Sequence, residues 1–435
     1  MGAPEDCSEE NVCGGAIYVY RYIGPNDFHE FTAPPAAEPA PSPIGLTSEP
    51  TATVAPTYDF SWEQINGVFD TIDQELFAAA LSMSDDGTVL YAGAFENGEV
   101  APESGRIVRV DLTNSNAERG FHGEAYDFLG FDVSSNGAGD RVVGYLSSSS
   151  SLEVSEYNPQ TGFSVSSVLE TYFNSTSATF EMSADGNWLV AVGVVDPENG
   201  GLGRLTIKTY QRQGTNFVPF GDDVVLEEMD IAPTLDIHMI RDGTIMALSV
   251  AGWNSYMGKV RVFRRLAIGG WEVIGTDIDS DRSDDFFGKT VRLTTRVEDN
   301  LILLFVSAPY RNEVLVYSST GAQWSLYGQP IQAGSDFTAE DEFGFDIDIS
   351  DDGNRVVVGV RCFDSCRGAV QTFEYDGSDW IPIGQIIAGF ADSYFGEAVV
   401  CSETCEVIAV GAPEDCGSDG CGGSVYVFQA NDNRA

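Results

Sequence analysis

Apolar and polar residues alternate in short bursts along the chain, and the bursts end at tight turns. The clearest set runs Phe343-Gly344-Phe345-Asp346-Ile347-Asp348-Ile349-Ser350, turns at Asp351-Asp352-Gly353, and continues as Arg355-Val356-Val357-Val358-Gly359. A loop leads to Ala369-Val370-Gln371-Thr372-Phe373-Glu374-Tyr375, and a last stretch reads Trp380-Ile381-Pro382-Ile383-Gly384. A period of two, β-branched and aromatic enrichment and an Asp-Gly turn predict four short antiparallel strands.

The set recurs. Units open near residues 77, 129, 176, 233, 287, 343 and 395, a spacing of roughly 50 residues, the length of one four-stranded propeller blade. Phe287-Gly288 and Phe395-Gly396 repeat the opening pair, while Thr176-Ser177 and Pro233-Thr234 replace it. Turns return at Ser84-Asp85-Asp86-Gly87, Ser183-Ala184-Asp185-Gly186 and Arg241-Asp242-Gly243. A closing aromatic with glycine four residues on returns as Phe217/Gly221, Trp271/Gly275 and Trp324/Gly328. The expectation is an all-β fold, a seven-bladed β-propeller of four-stranded antiparallel blades.

The last unit stops after three strands, and the missing Trp-containing strand stands before the first full unit, at Ser61-Trp62-Glu63-Gln64-Ile65-Asn66-Gly67-Val68. Pairing the two closes the ring and removes two exposed sheet edges. The propeller then covers residues 59–430. Residues 32–58 are Pro-rich and read as an extended linker. Residues 1–31 are a surplus half-repeat: Gly2-Ala3-Pro4-Glu5-Asp6-Cys7 returns as Gly411-Ala412-Pro413-Glu414-Asp415-Cys416. The surplus reads as the tail of an upstream repeat, with a leader segment as the alternative.

Charge narrows the partners. With 67 acidic against 22 basic residues the net charge is −45, a field that repels phosphate backbones and anionic membranes, so no nucleic-acid partner is expected. No apolar run approaches the length of a membrane span, so no direct membrane insertion is expected, and the chain reads as a monomer. Met1-Gly2-Ala3-Pro4-Glu5 has neither the basic start nor the apolar stretch of a secretory signal peptide.

The eight cysteines fall into four near neighbours: Cys7/Cys13, Cys362/Cys366, Cys401/Cys405 and Cys416/Cys421. Each pair flanks a predicted turn or loop, so local disulfides are the economical connectivity. Zinc is the rival, but the spacings are not Cys-x-x-Cys and only His29, His122 and His238 could assist. Free thiols are the third reading. Disulfides imply an oxidising, extracytoplasmic setting. Asn174-Ser175-Thr176 is a candidate glycosylation site in keeping with it.

Phe395-Gly396, then Ile408-Ala409-Val410-Gly411-Ala412-Pro413, then Gly423-Ser424-Val425-Tyr426-Val427-Phe428 together resemble an FG-GAP repeat. Such repeats build the seven-bladed propeller at the head of integrin α-subunits. The resemblance implies an extracellular or cell-surface recognition or adhesion module binding protein or glycan. Integrin-type repeats often carry a calcium loop between their first two strands. Here those hairpins are short turns such as Asp351-Asp352-Gly353, too short to wrap a cation that takes six to eight oxygens.

One calcium-like string lies elsewhere. Asp277, Asp279, Asp281 and Asp285 stand at positions 1, 3, 5 and 9 of a loop, with the Ser283 carbonyl available as a further ligand. The alternative is a solvated inter-blade loop. Trp253 breaks the regular Trp positions and is a candidate exposed contact for a ligand. No nucleophile–His motif or phosphate loop is present, so the expectation is a non-enzymatic module. A glycosidase-like hydrolase using carboxylates at the ring mouth is the alternative, and an intracellular scaffold with eight free thiols a third.

Overall fold

A computed structural model describes residues 60–432 apart from 71–75, 115, 174–177, 197–202, 227–233, 297–298, 339 and 417–420. The expected segments 1–31 and 32–58, with Cys7 and Cys13, and Asn174 lie outside the described residues.

The described strands form seven antiparallel sheets, six with their four main strands in sequence order and one completed by the N-terminal strand. The innermost strands are Phe77–Met83, Val133–Ser135, Ala178–Met182, Leu235–Met239, Val291–Arg296, Phe343–Ile349 and Ala398–Cys401, one for each of blades 1 to 7. The protein is a seven-bladed β-propeller. Blade 7 takes its fourth strand from Phe60–Asp70, which pairs antiparallel with Ser424–Asp432, Phe60 opposite Asp432 and Trp62 opposite Ala430.

Second strands are covered by a blade on each side, and Val89–Ala94 is buried at every position. That is why these strands read as continuous apolar runs while their neighbours alternate. The core therefore sits between blades: Leu303 and Phe305 of blade 5 cluster with Phe343, Val356 and Trp380 of blade 6. The recurring tryptophans belong to this packing, with Trp62, Trp271 and Trp380 buried and Trp324 packed against the cluster between blades 4 and 5.

The fourth strand departs from expectation in blades 3 to 5. It is broken, and a further short piece pairs with the third strand instead: Val224–Leu226, Ile278–Asp279 and Ile331–Gln332. In blade 6 the single strand Trp380–Ala388 spans both registers through a bulge.

Antiparallel order gives the ring two unlike faces. One, the turn face, carries the first-to-second strand turns. The other, the loop face, carries the second-to-third strand loops and the inter-blade connections.

Candidate functional site

Inner strands expose an unpaired edge to the central channel, and their amides need acceptors. Side chains of the preceding blade supply them. Ser82 Oγ accepts from Ser135 N at 2.9 Å, Ser134 Oγ from Met182 N at 2.9 Å, and Glu181 Oε2 from Met239 N at 2.7 Å. Asp236 Oδ2 accepts from Val291 N at 2.7 Å and His238 Nδ1 from Leu293 N at 3.0 Å. Asp346 and Asp348 accept from Val399 N at 2.8 Å and Cys401 N at 2.7 Å. The alternating polar positions of the inner strands thus stitch blades 1 to 5 in succession, and blade 6 to blade 7.

These side chains line a channel cavity of about 750 Å³. Arg292 lies among them, 3.4 Å from Asp236, 3.6 Å from Asp346 and 3.2 Å from Asp348. Burial opposes its charge, but the surrounding carboxylates outweigh burial and hold it protonated. Burial pushes Asp132 up to about 6, with Asp236 adding to the rise. It also raises Glu181 well above the usual range, and Asp236 and Asp348 more modestly, against the pull of Arg292. Burial, aided by Arg292, pulls His238 down to about 3, so the ring is neutral. Its Nδ1 accepts, which leaves the proton on Nε2, 3.8 Å from Glu181 Oε1.

The turn face narrows the channel. Asp351 N donates to Glu403 O, Glu403 N to Asp85 O, Asp85 N to Gly137 O and Gly137 N to Ala184 O, at 2.8–2.9 Å. Arg241, in the blade 4 turn, reaches across this mouth to Asp85, Asp351 and, at 3.6 Å, Glu403.

The loop face is different in character. Tyr256, Phe286 and Tyr310 come from the blade 4 loop, the connection to blade 5 and the blade 5 loop. Tyr256 stacks on Phe286 with centroids 4.5 Å apart and planes 17° apart, and Tyr310 follows at 4.7 Å. Tyr256 and Tyr310 remain 41% and 45% exposed. The sequence singled out Trp253 instead. Trp253 is half-buried against the core between blades 3 and 4, with Lys259 Nζ 4.1 Å from its ring centroid. Its neighbour Tyr256 carries the exposed surface.

The calcium-like string is distributed among cations. Asp277 accepts from Arg261 at 2.6 and 2.7 Å and from Lys259 at 3.1 Å. Burial raises its carboxyl, but these partners prevail and hold it below the usual range. Asp279 faces Lys259 at 3.5 Å; Asp281 and Asp285 face Arg311 at 3.4 and 3.6 Å. Asp285 also accepts from Ser280 Oγ at 2.6 Å, and Ser283 is exposed. The physical reason is that Ile278–Asp279 is a strand piece, which turns Asp277 and Asp279 toward the same basic strand rather than around a common centre. Among the described residues no three His, Cys, Asp or Glu side chains are grouped to hold a metal ion.

Two of the expected cysteine pairs are disulfides, Cys401–Cys405 and Cys416–Cys421. Cys362 and Cys366 are not bridged. Their loop keeps its shape through backbone hydrogen bonds that require no sulfur–sulfur bond.

Comparison with known proteins bears on the fold alone. No protein-family model and no characterised protein sequence matches the chain. Solved structures do. Kuenenia stuttgartiensis hydrazine synthase is 11% identical, with 83% of this chain and 97% of that chain covered at a TM-score of 0.53. The Cps50 (Swd1) β-propeller domain of Myceliophteria thermophila is 10% identical, with 85% and 99% covered at a TM-score of 0.50. At such identities the chemistry of those proteins does not transfer. Among the described residues no helix is long and apolar enough to cross a membrane.

Proposed function

We propose that this chain is a recognition module of an extracytoplasmic compartment that holds a protein or glycan on the loop face of its ring. The observation that carries the reading is the Tyr256–Phe286–Tyr310 aromatic set, assembled from three separate loops, with Tyr256 stacked on Phe286 and both tyrosines exposed. Rigid aromatic surface gives large contact area at low entropic cost, and Tyr adds a hydroxyl for polar contact. The two disulfides support the oxidising setting. The experiment is a screen of glycans and secreted proteins with the wild-type chain and a Tyr256→Ser, Phe286→Leu variant. Any true loop-face ligand loses about tenfold or more in affinity, the scale of one interface hot spot, while the melting temperature holds. Ligands that bind both chains equally would remove the reading.

A second reading rests on the channel. A carboxyl kept protonated beside ionised ones is what general acid catalysis of glycoside cleavage needs, and Glu181 and Asp132 have raised values. Against it, Glu181, Asp236, Asp346 and Asp348 already serve as acceptors for edge amides. Turnover of a glycoside panel by the wild type, abolished in Glu181→Gln, would establish hydrolysis; an inactive wild type would end it.

A further inference from the structure

Cys362 and Cys366 flank the turn between the second and third strands of blade 6. The Cys366 N–H donates to the Cys362 carbonyl at 3.3 Å, which holds the two residues at the two ends of one tight turn. Both are partly open to solvent. The Cys401–Cys405 bridge is not: its sulfurs belong to residues only 8% and 0% exposed.

We propose that Cys362 and Cys366 are a reversible redox site, interconverting between dithiol and disulfide without unfolding the ring. The propeller carries its own control for the second half of that statement. Blade 4 has the same turn at Gly252–Gly258, with Gly252 and Tyr256 where blade 6 has its cysteines. Asn254, Ser255 and Tyr256 have φ of 47°, 60° and 58°; Asp364, Ser365 and Cys366 have 47°, 63° and 59°. The matching bonds are kept too: Gly258 N to Trp253 O at 3.2 Å and Gly368 N to Phe363 O at 3.1 Å. A backbone that forms without sulfur in one blade does not depend on a sulfur bond in the other.

The co-reactant is a disulfide of a small thiol or of another protein. Cys366, as thiolate, attacks one sulfur of that disulfide, forming a mixed disulfide and releasing one thiol. Cys362 then gives up its proton and displaces the second sulfur, so two cysteine thiols are oxidised and one disulfide is reduced to two thiols. Burial and the neighbouring thiol push Cys362 up to about 12, which assigns it the second step.

The switch sits on the loop face, in its blade 6 loop. The Cys366 carbonyl accepts from Tyr394 N at 3.1 Å. Arg361, next to Cys362, lies 4.7 Å from the ring centroids of Phe345 and Tyr394 and 3.1 Å from Glu397. Closing the bond ties together the two ends of the turn that positions these groups.

The test equilibrates the full chain in buffers of graded oxidised-to-reduced glutathione, traps thiols by alkylation and maps peptides by mass spectrometry. Cys362 and Cys366 are expected to pass together from doubly alkylated to bridged while Cys401–Cys405 and Cys416–Cys421 stay closed. Circular dichroism and a cooperative melt should persist at both ends of the series. In Cys362→Ser, Cys366 should accumulate instead as the glutathione mixed disulfide. Thiols that stay reduced throughout would overturn the proposal. So would a bridge that opens only when the chain is unfolded, or only together with the other two.

Discussion

The blade 4 and blade 6 turns are one backbone carrying two chemistries. Both leave the second strand, run through three left-handed residues and end at a glycine pressed against the next blade: a Cβ on Gly258 would lie 1.9 Å from Phe287 O, and one on Gly368 1.9 Å from Phe395 O. Both hold the next connection by a carbonyl, Tyr256 O taking Phe286 N at 3.0 Å and Cys366 O taking Tyr394 N at 3.1 Å. Beyond the frame they part. Blade 4 places Tyr256 on Phe286, and Ala251 stands at its Arg361 position. Blade 6 has a thiol where Tyr256 would be and puts the Arg361 guanidinium over Tyr394. The difference teaches that the frame is held by backbone and glycine, so the side chains on it are free to specialise.

The largest effect should come from attacking the frame. Gly258→Ala and Gly368→Ala should each cost about 3 kcal/mol or more, because the new Cβ meets a carbonyl and the backbone stays left-handed. Urea unfolding of both variants measures this; a large loss in one and none in the other would break the equivalence of the two turns.

Arg361→Ala comes next, at about 2 kcal/mol, since it removes two ring contacts and leaves half-buried Glu397 without its partner. Burial already raises Glu397, and without Arg361 it rises further. An acid whose folded value exceeds its unfolded one costs stability as pH climbs through that interval. The deficit should therefore be largest near pH 7 and shrink toward pH 4, which melts across pH would reveal. A deficit independent of pH would mean that packing alone is lost.

Cys362→Ser should change stability by less than about 0.5 kcal/mol under reducing conditions. A larger loss would tie the blade 6 turn to its sulfurs after all. Smallest of all is calcium: melts in millimolar calcium and in chelator should coincide, because Arg261, Lys259 and Arg311 already face the string after blade 4. A clear upward shift would mean that ions draw those carboxylates off their cations.

The blades were legible because most are announced locally, by an apolar second strand, by an Asp-Gly turn in blades 1, 3, 4 and 6 and by a closing Trp in blades 4 to 7. Ring closure was legible because Trp62 had no unit of its own. The loop-face platform was not, since Tyr256, Phe286 and Tyr310 meet only after three loops are arranged by two blades. A faint trace existed: the residue before the opening pair is aromatic at Phe286 and Tyr394. The acidic string left two readings open because spacing alone does not distinguish a loop that encircles an ion from a strand piece such as Ile278–Asp279 that lies beside Lys259. The alternation of Asp346 with Asp348 and of Asp236 with His238 was visible. Its use was not, because the amides these residues serve belong to the neighbouring blade.

The seam in blade 7 has a mechanical consequence. Phe60 faces Asp432, so the two chain ends of the ring leave the strand pair at the same end. A pull applied between residues 60 and 432 would load the hydrogen bonds one at a time, as in unzipping, rather than all together in shear. Tension along the chain would open blade 7 first and pass to the remaining six only after that seam had parted. Tension applied through the loop face would bypass the seam altogether.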